Sequence, residues 1–278
     1  MAEYYKSYKP RTFDPQAKEA FKVSRSKIDF FVDCPRCFYM EARHGVKRPS
    51  MPSFTLNIAV DALLKKEFDV HRVKGSAHPL MQKYGLDLVP FKHVQMDEWR
   101  ENFVGVRALQ QPTNLLVFGA VDDIWVNKKG ELHVVDYKAT SKDTAVTELE
   151  NTKWHDQYRR QMEVYQWLLR QNGFMVSNTG YFVYVNGRKD VAAFDAKLEF
   201  EVNLIPYTGS DAWVEQTLVR MKACLVGELP SVSEACEFCV YRKSAQGFES
   251  VEYKTHVPVQ VTKMSKKTPR APLGQPLF

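Results

Sequence analysis

Apolar residues recur at helical spacing through the first third of the chain, and the middle switches to short runs that read as strands. Ser24 opens a helical stretch that reaches Phe31, and Pro35 restarts a second that ends near Gly45. A third helix is expected from about Leu56 to Arg72, with Leu56, Val60, Leu63, Leu64 and Phe68 at helical spacing, followed by a Gly/Pro-punctuated connection through Pro90. Leu115 to Asn127 and Glu131 to Ala139 are rich in Val, Ile, Leu and aromatic residues, and Lys128-Lys129-Gly130 between them reads as a hairpin turn. Next come a long helix from about Lys153 to Asn172, stopped at Gly173, and strand-like stretches at Gly180 to Asn186, around Val191 and at Leu198 to Ile205. A helix from about Asp211 to Leu225 follows. This order predicts an α/β fold with a mixed central sheet flanked by helices and a helical N-terminal part.

The ends lack such patterning. Residues 1–20 read as a flexible N-terminal segment and 21–253 as one folded domain, while 254–278, basic and poor in core residues, reads as a disordered tail. The formal charge of +6 tilts the chain slightly towards a polyanionic partner. No run approaches the roughly 20 apolar residues of a membrane helix, and Met1 to Pro10 carries no apolar signal core, so no membrane association and a cytoplasmic location are expected.

Strand alternation puts Asp136 and Lys138 of Val134-Val135-Asp136-Tyr137-Lys138 on one face. A three-residue turn with Gly130 in the left-handed position would pair Asn127 with Glu131 and set Asp122 directly opposite Asp136, leaving Asp123 on the other face. A four-residue loop would reverse that choice. Two facing carboxylates about 5 Å apart can share a divalent ion such as Mg2+ or Mn2+, and a lysine beside them can stabilise charge on a phosphate.

Gly119-Ala120-Val121-Asp122, Asp136-Tyr137-Lys138 and Gln161-Met162-Glu163-Val164-Tyr165, in that order, resemble the RecB-like branch of the PD-(D/E)XK nucleases. The resemblance covers roughly residues 24 to 245 and implies a restriction-endonuclease-like core and metal-dependent cleavage of DNA. It also implies that Asp122 and Asp136 bind the metal, that Tyr137 lends a backbone carbonyl, that Lys138 acts in catalysis, and that the helix of Gln161 and Tyr165 packs over the site. Gln157, Gln161, Tyr165 and Leu168 lie on one helical face, as suits a helix lining a wet site; Arg159 and Arg160 suit either phosphates or a solvated surface. Relatives often carry a metal-contacting histidine on the helix before the hairpin. None stands between Gly45 and Val70, which leaves Asp61 as the substitute, or as a surface partner of Lys65.

Cys34-Pro35-Arg36-Cys37 and Cys236-Glu237-Phe238-Cys239 can together complete a four-thiolate site for Zn2+ or a 4Fe-4S cluster. Some RecB-like nucleases, of the AddB and CRISPR-adaptation types, hold a 4Fe-4S cluster with one early and three late cysteines. Cys34, Cys236 and Cys239 match three of these; the expected fourth falls on Ala245, and Cys37 takes its place. A redox Cys-x-x-Cys is the rival for the first pair. Cys224, among Val219, Met221 and Leu225, reads as a core residue, and the metal centre reads as a structural staple of the C-terminal segment.

By resemblance the activity is that of an exonuclease on single-stranded or end-opened DNA in repair, recombination or CRISPR adaptation. The alternatives are a non-catalytic nucleic-acid-binding module of the same fold and a sequence-specific endonuclease. No Walker motif is present, so unwinding would need a helicase or repair partner. The terminal Leu277 and Phe278 loosely resemble peptides that dock into sliding clamps.

Overall fold

The computed structural model describes residues 11–49 and 54–249. The chain divides into two compact units, Met1–Val240 and Tyr241–Phe278; the elements below belong to the first, except the later part of the last helix. The expected tail, with Leu277 and Phe278, lies outside the described residues, as do residues 1–10 of the expected lead-in. In the remainder of that lead-in, Phe13 is buried against Phe21 and its amide donates to the Ala42 carbonyl, so order begins earlier than the composition suggested.

Two sheets carry the fold. β1 (Phe21–Ser24) pairs parallel with β4 (Leu115–Gly119), and β3 (Val106–Gln110) pairs antiparallel on β4's other edge. The second sheet is mixed, in the order β2 (Leu88–Pro90), β5 (Asp123–Asn127), β6 (Leu132–Thr140), β7 (Thr179–Gly187), β8 (Phe200–Thr208), with β6 and β7 parallel. The run expected as one strand from Leu115 is therefore two strands in two sheets, broken at residues 120–122. The strand expected around Val191 does not form; the chain there is a bend between β7 and β8.

Helices α1 (Arg25–Asp33) and α2 (Pro35–His44) meet at Cys34, which ends one and caps the other; Pro35 suits the first helical position, where no amide partner is needed. The remaining helices are α3 (Thr55–Lys74), α4 (Pro79–Lys83), α5 (Met96–Arg100), α6 (Lys153–Gln171), α7 (Trp213–Val226) and α8 (Glu237–Glu249). Alternation along β6 sorts the interior into two layers. Leu132 and Val134 join Met162 and Leu168 of α6 on one face, and Val135 and Tyr137 join Phe68 of α3 and Trp125 on the other. With both faces covered, β6 reads as a largely apolar run, interrupted by His133, which bonds the Thr179 carbonyl, and by Asp136 and Lys138 before it ends at Thr140. On α3 the inward stripe is Val60, Leu64 and Phe68, whereas Leu56 and Leu63, expected to share it, are exposed.

Glu163 anchors α6 to the segment after β8. Its carboxylate is buried and accepts from Tyr207 Oη and Trp213 Nε1, each at 2.6 Å, and from the Ser210 amide at 3.2 Å. Glu163→Ala strands these donors and is expected to cost about 2–4 kcal/mol, read as a lowered midpoint in urea unfolding at unchanged m-value.

Candidate active site and metal centre

The hairpin turn fixes the site. Gly130 has φ +78° and donates to Asn127 O at 3.0 Å, while the Asn127 amide donates to Glu131 O at 3.2 Å. Asn127 Oδ1 accepts from the amides of Lys129 and Glu131, closing a three-residue loop. The register then runs from Val126 opposite Leu132 to Asp123 opposite Val135, which sets Asp122 against Asp136 one step further on, as the turn chemistry led one to expect. Asp122 Oδ2 accepts from the Tyr137 amide at 2.9 Å.

Asp136 is fully buried. Its Oδ2 lies against the Lys138 ammonium as a charge contact, and neither oxygen accepts an aligned hydrogen bond. Burial pushes its carboxyl up to about 6; Lys138 opposes that rise and Asp122 adds to it. Burial works against the Lys138 ammonium, but the carboxylates of Asp136 and Asp122 outweigh it and hold the amine above its ordinary range. Lys138 Nζ also donates to Gln161 Oε1 at 3.2 Å and sits 4.4 Å from the Tyr158 ring centre, and Gln161 donates to Tyr165 Oη at 3.2 Å. Gly119 makes this closeness possible: a Cβ there would stand 2.6 Å from the Tyr165 ring and 3.3 Å from Arg25 Cβ.

Asp61 pairs with Lys65 at 2.8 Å, and the same ammonium stands 3.7 Å from Asp122 Oδ1. Asp61 is thus the helix ion-pair partner of Lys65, and that lysine links it to Asp122. Burial and the Asp122 charge push its carboxyl up against the pull of Lys65.

Behind the site lies a network the sequence did not announce. Asp123, fully buried, takes the Arg72 and Arg100 guanidinium groups on Oδ1 and the Tyr137 hydroxyl on Oδ2 at 2.8 Å, and Asp69 bridges the same two arginines. It faces away from Asp136, as expected, but it is not a bystander. Burial, followed by Asp123, pushes the Tyr137 hydroxyl well above its usual range, so it stays protonated as a donor. Arg159 and Arg160 are spent within the protein, on Asp156 and on Asp29, at 2.7 and 2.5 Å. Arg25 and Tyr158, which touch or face the site, carry no sequence signal beyond an ordinary cation and an ordinary aromatic.

The four cysteines converge from α1–α2 and the start of α8. Cys34 and Cys239 sulfurs are 3.6 Å apart, Cys37 is 3.7 Å from both Cys236 and Cys239, and all four lie within 4.8 Å of one another. Arg48, between the rings of Phe30 and Phe238 at 4.4 and 4.5 Å, donates to Cys236 Sγ at 3.1 Å and pairs with Asp33. Buried sulfurs with a cation beside them suit a thiolate-bound metal. Burial pushes the Cys34 thiol up to about 12, opposite to what a redox Cys-x-x-Cys requires. Cys224 stands apart, packed against the main core.

Among the described residues no helix is long and apolar enough to cross a membrane. No curated protein sequence matches the chain significantly. A solved structure, "Crystal structure of SSO0001", is similar with 14% identity over 82% of this chain and 86% of that one, at a TM-score of 0.38. The sequence model of the PD-(D/E)XK nuclease superfamily matches residues 59–244, a span that holds Asp61, the facing Asp122 and Asp136, Lys138, and the helix of Gln161 and Tyr165. The chain belongs to the PD-(D/E)XK nuclease superfamily.

Proposed function

We propose that the chain hydrolyses DNA phosphodiesters at Asp122, Asp136 and Lys138, as an exonuclease on single-stranded or end-opened DNA in repair, recombination or CRISPR adaptation. The observation that carries this reading is Asp136, a fully buried carboxylate that meets the Lys138 ammonium at Oδ2 and accepts no aligned hydrogen bond on either oxygen. The lysine leaves Oδ1 without a partner, which is costly for a buried oxygen unless a further cation completes it, and Asp122 stands opposite to share one. Asp122 and Asp136, with the Tyr137 carbonyl and Asp61 at the margin, would hold Mg2+ or Mn2+. When bound, that ion supplies charge neutralisation at the scissile phosphate and lowers the pKa of water.

The chain's own groups do the rest. Lys138, fixed by Asp136 and Gln161, offers its ammonium to the phosphate oxygens and the attacking water. Gln161, itself oriented by Tyr165, holds the lysine to that face. Tyr137 ties the strand to the Arg72–Arg100 network through Asp123, which keeps the β5–β6 register rigid.

Labelled single and double strands and closed circles, incubated with Mg2+ or Mn2+, test the proposal. Release of short products from ends, lost in Asp136→Ala with strand binding retained, is the expected result. Cutting of closed circles would replace the exonuclease reading with an endonuclease. Binding without hydrolysis under any divalent ion would leave only the non-catalytic module.

For the cysteine centre, the sulfur spacing favours zinc over a 4Fe-4S cluster. Tetrahedral zinc with Zn–S near 2.3 Å sets its thiolates about 3.8 Å apart. A cubane interposes four irons and spreads its thiolates further apart. Separations of 3.6 and 3.7 Å, in a set that lies within 4.8 Å overall, are nearer the first.

A further inference from the structure

Helix α3 has two apolar faces. Val60, Leu64 and Phe68 turn to the sheet, and on the flank beside them Asn57 donates to the Ala139 carbonyl while Lys65 joins Asp61 to Asp122. A second stripe, Leu56, Ala59, Leu63, Lys66, Val70 and Val73, runs along the side turned away from both, and every one of its residues is exposed. Leu56, Leu63, Val70 and Val73 keep 57, 63, 51 and 77% of their surface in water.

The steps of this stripe alternate between three and four residues along a helix of 20, which is the a/d pattern of a heptad repeat. Apolar side chains scattered singly over a surface need no explanation, but a continuous seam does. A heptad seam is read by another helix, whose side chains form the holes into which its own knobs fit.

We propose that α3 pairs with α3 of a second copy of this chain through the Leu56–Val73 seam. The four large side chains leave on the order of 400 Å² of apolar surface in one strip, within the range of the largest patch on a typical monomer, which is often functional. Two such strips face to face bring together roughly 800 Å², and the flanking stems of Lys66, Glu67 and Lys74 raise this to about the 1,000 Å² that a specific, weak association needs. The seam carries a single charge, Lys66, so two copies meet without facing rows of like charge, and a two-fold axis lets one patch serve both partners. Lys66 limits the affinity, since its stem can pack across the seam only while its ammonium stays in water at the edge. Asp61 and Lys65 lie on the other side of the helix, so the pairing leaves the carboxylates open and does not rest on the nuclease reading.

Sedimentation velocity on the full chain, between about 1 and 100 μM, is expected to show monomer passing into dimer with a dissociation constant on the order of 10 μM. Leu63→Glu sets a carboxylate in the middle of the seam and should leave a monomer across that range; Leu63→Ala should weaken the dimer about tenfold. Lys66→Leu should tighten it about tenfold, with no species beyond the dimer. These side chains are exposed, so melting temperatures of the dilute monomers should move little, which separates lost association from lost folding. Val226→Glu, at a similarly exposed apolar position on α7, should leave the dimer intact. A chain still monomeric at about 100 μM, or a dimer that Leu63→Glu leaves unchanged, would overturn the proposal.

Discussion

Asp122→Asn is expected to lower divalent-dependent cleavage by about 10² or more with folding intact, while Asp123→Asn is expected to fail through stability instead. The two residues are adjacent, yet strand alternation sends them to opposite faces. Asp122 is partly exposed, opposite Asp136, and its loss removes one of two facing carboxylates. Asp123 compensates two buried guanidinium groups, those of Arg72 and Arg100, and takes the Tyr137 hydroxyl. An amide there leaves two positive charges with Asp69 alone, and breaking one side of a buried ion-pair network costs about 3–5 kcal/mol. Calorimetry should show a melting temperature lower by roughly 6–20 °C for Asp123→Asn and by little for Asp122→Asn. At a temperature where both are folded, the ranking of activities should invert: Asp123→Asn cleaves and Asp122→Asn does not. An inactive, well-folded Asp123→Asn beside an active Asp122→Asn would overturn the assignment of the carboxylates.

The second large effect concerns the cysteine centre. Purified protein is expected to carry one zinc per chain with no brown absorption, and its removal, or Cys37→Ser, to lower the melting temperature by more than about 10 °C. The cross-link joins Cys34 to Cys239, 205 positions apart. Closing a loop of that length in the unfolded chain is worth about 5 kcal/mol in the chain-entropy account, before any gain from the metal bonds. Cys224→Ser should leave the metal content unchanged, because its sulfur is not among the converging four. Iron with broad visible absorption would replace zinc by the cluster; a metal-free fold with four reactive thiols would remove the centre altogether.

Much of this site could be read from local rules. A Lys-Lys-Gly turn has few ways to close, and its closure decides which of two neighbouring aspartates faces Asp136. The cysteine pairs were legible because their spacing carries its own geometry. Other features depended on distant partners. Nothing near Leu115 says that the strand leaves one sheet at residue 119 and enters another at 123. Arg72 and Arg100 look like surface cations in sequence, since only the tertiary fold brings them onto Asp123. Leu56 and Leu63 fit the helical period but fall outside the stripe that α3 turns to the sheet, because the period fixes spacing and not which face meets the core. Val191 has the residue type of a strand but no neighbouring strand to pair with.

The placement of the cysteines also bears on the order of events during synthesis. Cys37 leaves the ribosome 199 positions ahead of its partner Cys236. At about 5–20 residues per second, the early pair waits on the order of ten seconds or more with an incomplete ligand set. During that interval α1 and α2 have neither the second cysteine pair nor α7 to pack against, and β1 lacks its parallel neighbour until β4 appears. Helices α1 and α2 are therefore expected to be the last part of the domain to become protected in pulsed hydrogen exchange on stalled nascent chains, even though they are made before the elements they pack against.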